Sequence, residues 1–131
     1  MAIRVMWDDP EQTVLRLSFS PQWTWRELKD SVASAHAMMD TASGPVGLIF
    51  DTHQVVMLPD GAPTHVRHLL RHAHPNTRLM IVIETRNPQL NHFGHMLITF
   101  LQRYFWLHSP IFYVTTLDEA RALLQRHARM S

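Results

Sequence analysis

Two short stretches constrain this chain more than any others. Val46–Phe50 (Val-Gly-Leu-Ile-Phe) and Leu79–Ile83 (Leu-Met-Ile-Val-Ile) are unbroken apolar runs, too short for helices and lacking the polar alternation of a half-exposed strand. Such runs belong to parallel strands covered on both faces by crossover helices. The segments between them fit that scheme. Ile3–Trp7 and Thr13–Phe19 read as strands joined through the polar turn Asp8-Asp9-Pro10-Glu11, which makes a hairpin. Thr24-Trp25-Arg26-Glu27 matches a capping box, and Leu28, Val32, Ala35 and Met39 carry a near 3–4 spacing onward to about Asp40. Val55–Leu58 is read as an extension of the third strand or a small appendage. After the Pro59–Pro63 turn, Thr64 is read as the cap of a helix from His65 to about His74. Asn87-Pro88 opens a long helix to about Trp106. Ile111–Val114 is the last strand, and the capping box Thr116-Leu117-Asp118-Glu119 starts a final helix to about Ala128. The predicted order is β-β-α-β-α-β-α-β-α: one α/β domain over residues 1–131, a mostly parallel sheet with an N-terminal hairpin and helices packed on it.

Composition removes whole classes of chemistry. The 131 residues include no Cys, which excludes disulfides, thiolate nucleophiles, zinc–thiolate knuckles and iron–sulfur clusters. Twelve basic against eleven acidic residues leave a formal charge of +1, without the excess expected of a nucleic-acid binder. The distribution is uneven. Residues 1–60 hold eight acids and four bases, residues 61–131 three acids and eight arginines. Eight of the ten histidines also fall in the second part, so mild acid deepens the asymmetry. The most apolar segment, Phe93–Leu107, is interrupted by His95, Gln102 and Arg103 and is too short to span a bilayer. No leader or cleavage site is visible at the N-terminus. The expectation is a cytoplasmic protein without a transmembrane segment, for which contact with a membrane surface stays open.

Beyond these elements, three stretches are similar to the STAS-type domains, the anti-sigma-factor antagonists and their relatives. Val46-Gly47-Leu48-Ile49-Phe50-Asp51 resembles that family's apolar strand closing on Asp. Ile83-Glu84-Thr85-Arg86-Asn87-Pro88-Gln89-Leu90 resembles its strand-to-helix passage. Phe112 to Leu123 resembles its ending, a strand leading into a capped helix. The resemblance covers nearly the whole chain and implies a STAS-like sandwich acting as a non-catalytic protein-interaction or regulatory module. The family's regulatory members place a hydroxyl phosphoacceptor after an Asp at a helix start. Here the equivalent region is Asp60-Gly61-Ala62-Pro63-Thr64. Gly61 stands at the acceptor position, and Thr64 is the only nearby hydroxyl, so the module is expected to lack the phosphate switch.

The remaining candidates come from the residues themselves. His65, His68 and His72 fall on one helical stripe beside Arg67 and Arg71. His68 and His72, one turn apart, are the weak candidates for a metal, but no acid nearby in sequence completes a sphere. The simpler expectation is a solvated basic face carrying Arg67 and Arg71 opposite Val66, Leu69, Leu70 and Ala73. Neither cofactor nor nucleic acid is expected, because no Gly-rich phosphate loop exists and no aromatic residues interleave the basic segment. Asp51 and Glu84 occupy the strand ends where α/β proteins place their sites. On the long helix, Phe93, Met96, Leu97, Phe100, Leu101 and Tyr104 form the expected sheet-facing stripe. Ile98, Phe105 and Trp106 fall off it and form the candidate interaction patch, with a second copy of the chain as the expected partner. The alternatives are a small apolar or anionic ligand held between the long helix and the sheet, and a His-dependent metal protein.

Overall fold

The computed structural model describes residues 2–104 and 110–130. Strands β1 (Ile3–Trp7) and β2 (Val14–Phe19) form the expected hairpin, pairing antiparallel from Ile3 opposite Phe19 to Trp7 opposite Leu15. Asp9 organises the turn: its carboxylate accepts from the backbone N–H of Thr13 and Val14 and from the Thr13 hydroxyl. Helix α1 (Trp25–Asp40) starts at a complete capping box, in which the Thr24 hydroxyl accepts from the Glu27 N–H and the Glu27 carboxylate accepts from the Thr24 N–H. Trp23 just before the cap and Leu28 one turn inside are buried in the same cluster, the positions of a hydrophobic staple.

Strands β3 (Val46–Asp51), β4 (Thr77–Ile83) and β5 (Ile111–Val114) then add in parallel, giving the sheet order β1-β2-β3-β4-β5. Each crossover steps in the same direction across the sheet. Right-handed connections therefore put α1, α2 (Ala62–Arg71) and α3 (Pro88–Tyr104) on one face. Helix α4 (Leu117–Met130) follows the last strand and covers the other face.

Register decides which residues share each face. Leu15, Leu48 and Met80 align on the three-helix side, with Leu17, Phe50 and Val82 one pleat further on. Ile49 and Ile81 align on the α4 side, where they are fully buried with Leu79, Ala120 and Leu124. Gly47 permits that close approach: a Cβ there would lie 2.7 Å from Leu124 Cδ2. At the hairpin end of this face Asp8, only 5% exposed, sits between Arg16 (Nε 3.1 Å) and Arg121, whose Nε and NH2 donate at 3.0 and 2.9 Å.

Three expectations change. Val55–Leu58 is not a strand; Val55 is buried while Val56 and Met57 are exposed. Helix α2 begins at Ala62 from Gly61, whose φ of 89° is left-handed, so Thr64 lies in the first turn and is not the cap. The reason is local: Pro63, with fixed φ and no N–H to leave unpaired, suits the first turn, and only glycine takes the preceding conformation without strain. The helix also ends early, at Arg71. His74 is drawn away: its Nδ1 accepts from the Asn76 N–H, so Nε2 carries the proton and donates to Asp40 at 2.6 Å.

Candidate functional site: an apolar cavity at the strand ends

The three-helix face is not uniformly filled. Helices α2 and α3 stand over Phe50 and Val82 with two adjacent cavities beneath them, each of about 170 Å³. Leu28, Phe50, Val66, Val82 and Ile98 line both, so the two are neighbouring lobes of one space. The first lobe lies toward the C-terminal end of α1, walled by Ala35, His36, Leu69 and Leu70. The amphipathic pattern of α2 explains its inner wall, since Val66, Leu69 and Leu70 turn inward and Arg67, His68, Arg71 and His72 turn to solvent. An engineered apolar cavity of about 150 Å³ stays dry and binds benzene, so each lobe has room for a group of ring size.

The second lobe reaches the C-terminal ends of β3, β4 and β5, where open α/β sheets hold ligands. Its polar groups converge from separate elements. Glu84 follows β4, Tyr113 lies on β5 and His95 on α3; His95 Nε2 is 2.9 Å from Glu84 Oε2, at an angle too bent for a hydrogen bond, and its ring sits 3.8 Å from that of Tyr113. The α3 start is fastened beside them: Asn87 Oδ1 caps the helix through Gln89 N–H, and Asn91 and Thr85 exchange hydrogen bonds. Burial, with the Glu84 carboxylate second, pushes the Tyr113 hydroxyl up to about 12, so it stays protonated. The Tyr113 hydroxyl and the Trp23 indole N–H are both buried with no hydrogen-bond partner among the described residues. Leaving such a group unmet costs about 1–3 kcal/mol.

Other candidates are scattered. Asp51 turns to the opposite face, 3.9 Å from Arg16, while Glu84 faces the cavity. Ile98 is half-buried and lines both lobes, so it faces inward. Phe93, Met96 and Phe100, expected on the sheet, are instead 44%, 59% and 56% exposed. The helix is rotated so that Leu90, Leu97, Ile98 and Leu101 face inward. Phe105 and Trp106 lie outside the described residues. The rings of His68 and His72 are 4.4 Å apart, whereas His65 stacks on Trp25 at 5.0 Å. No group of three His, Asp or Glu among the described residues is placed to hold a metal. The Arg78 guanidinium lies apart from Arg67 and Arg71, near Gly47 under α4. Asp60 is held by its backbone: the Trp25 indole donates to the carbonyls of Asp60 and Pro59, at 2.7 and 3.1 Å, and pins the loop before Gly61 to α1.

Sequence reasoning reached Glu84 by position but missed its meeting with His95, and it missed Tyr113 and Trp23 as polar groups. The available signal was β-strand alternation in Ile111-Phe112-Tyr113-Val114, which puts Tyr113 on the face of Ile111. Compared with protein-family models, curated proteins and solved structures, the chain finds no match. Among the described residues no helix is long and apolar enough to cross a membrane.

Proposed function

We propose that this chain is a non-catalytic regulatory module of STAS-like fold that binds a small, largely apolar molecule in the cavity beneath α2 and α3. The observation that carries the reading is the cavity itself, almost wholly apolar and reaching the strand ends where ligands sit in parallel sheets. A domain built only for stability gains by closing such space, since side chains lose contacts across a void. The kinship with STAS-type domains rests on the three sequence stretches and is supported, at the coarser level, by the single five-stranded, mostly parallel sheet with four helices. Native mass spectrometry of protein purified without organic solvent tests the reading, together with a toluene titration. The expected result is a retained small mass or saturable toluene binding, both lost in Ile98→Phe, which fills the wall shared by the lobes. No retained mass and no toluene binding in folded protein would overturn it.

A second reading has its own observation. The outward side of α3 exposes Phe93, Met96 and Phe100 within two turns, a surface suited to a protein partner or a second copy of the chain. Light scattering on pure protein distinguishes the two occupants: a dimer that Met96→Glu dissociates supports self-association, and a strict monomer removes it.

A further inference from the structure

The outer surface of α2 and α3, above the cavity, has a charge pattern of its own. Neither helix contains an acid, and from residue 61 to 104 the only one is Glu84, which faces the cavity beside His95. The acids of α1 are placed elsewhere. Glu27 and Asp30 line a groove beside β1, and Asp40 receives the His74 hydrogen bond.

Helical geometry brings the arginines of α2 and the exposed apolar side chains of α3 to one valley. On α2, which lies between α1 and α3, His65 stacks on Trp25 of α1. Arg67, about 200° further round, therefore stands on the side toward α3, with Arg71 one turn on. Both are exposed. On α3, the His95 ring contacts Tyr113 on β5, the edge strand on the side away from α2. Phe93, two residues earlier, and Phe100, five later, therefore stand toward α2, and Met96 faces outward beside them. Val56 and Met57 stand at the end of this valley. Their loop leads into α2, and its His53 Nε2 accepts from Arg86 Nε, just before α3, at 3.1 Å. These two and the three on α3 are the exposed large apolar side chains among the described residues, and none of them is on α4.

Exposed arginines interleaved with exposed Phe and Met suit an anionic bilayer. The guanidiniums meet phosphate and carboxylate oxygens, and the apolar side chains enter the acyl boundary. A protein partner fits less well, because the apolar residues stand singly on two segments instead of forming one moulded patch. We propose that the α2–α3 face docks on a bilayer carrying anionic lipid, with Arg67 and Arg71 at the head groups and Phe93, Met96 and Phe100 inserted below them.

Vesicle flotation with the full chain at pH 7.5 tests the proposal, using phosphatidylcholine alone and phosphatidylcholine with one third phosphatidylserine. Binding to the mixed vesicles should be roughly tenfold tighter or more, and should weaken as salt rises. Arg67→Gln should lose about fivefold, the effect of one cation at an anionic surface. Arg126→Gln removes the same charge from an exposed position on α4, across the sheet, and should lose less than about twofold. Met96→Ser should weaken binding several-fold while the circular dichroism spectrum stays that of the folded chain. Toluene binding should be unchanged in all three variants, so the cavity reading stands or falls separately. No binding to the mixed vesicles, equal binding to both kinds, or equal losses in Arg67→Gln and Arg126→Gln would overturn the proposal. A dimer that Met96→Glu dissociates, with both kinds of vesicle left unbound, would overturn it and give this face to a second copy.

Discussion

The two faces of the sheet are made of similar residues and packed in different ways. Under α4, Ile49, Leu79 and Ile81 are completely buried, and Gly47 removes even a methyl group so that Leu124 can close down. Under α2 and α3, the equally apolar Phe50 and Val82 look into open space. A shared sheet and shared chemistry leave the covering helices as the difference. Helix α4 presents small and branched residues, Ala120 and Leu124, at close range, whereas α2 and α3 hold Val66, Leu69 and Ile98 at a distance. One face is a tight core, and the other leaves a cavity between the sheet and α1, α2 and α3.

Substitutions should therefore give opposite results on the two faces. The largest effect is expected from Ile81→Ala, which opens a void in the tight face. It should cost about 2–5 kcal/mol in urea unfolding, and a cost below 1 kcal/mol would mean that this face is looser than described. Next, Gly47→Val adds volume where Leu124 Cδ2 already stands and should cost about 1–3 kcal/mol. Ile98→Phe adds volume on the cavity side and should change stability by less than about 1 kcal/mol while abolishing toluene binding. Equal penalties for the two additions would erase the contrast between the faces.

The smallest expected effect is the pH response of His36, which also lines the cavity. Burial, followed by the neighbouring His74, holds its imidazole below the usual value of 6.5, against an opposing pull from Asp40. The folded state then binds fewer protons than the unfolded chain as pH falls through 6.5. Stability from this site is complete above about 6.5 and is lost below it, toward and through the lowered folded value. Urea midpoints measured at pH 7.5 and pH 5.5 should fall on acidification, and by less in His36→Gln. An identical fall in the variant would locate the response elsewhere.

Much of this was legible in the sequence, and the rest fails for identifiable reasons. Unbroken runs such as Leu79–Ile83 and the capping box at Thr24 are local signals, and both elements form where they were expected. At Thr116 the signal was only half right. The hydroxyl caps Glu119 N–H, but the Glu119 carboxylate reaches Thr115 instead, whose backbone and side-chain hydrogen bonds hold its pKa below the usual range. The rotation of α3 was not legible, because Phe93, Met96 and Phe100 have the same 3–4 spacing as the inward set Leu90, Leu97 and Leu101. Periodicity identifies stripes, and which stripe meets the sheet is decided by tertiary packing. For the same reason the approach of His95, Glu84 and Tyr113, from α3, the end of β4 and β5, depends on parallel register that no local pattern encodes. The histidine excess likewise dissolves into separate local roles, stacking on Trp25 for His65, fastening a loop for His74 and facing Glu84 for His95.

Methyl-resolved NMR during a toluene titration tests the central claim most directly, because it reads both faces of the sheet in one experiment. The account predicts saturable shifts at Val66, Leu69, Leu70, Val82 and Ile98, with Ile49, Ile81 and Leu124 unmoved. Shifts of similar size on both faces, or none at the cavity residues, would contradict it.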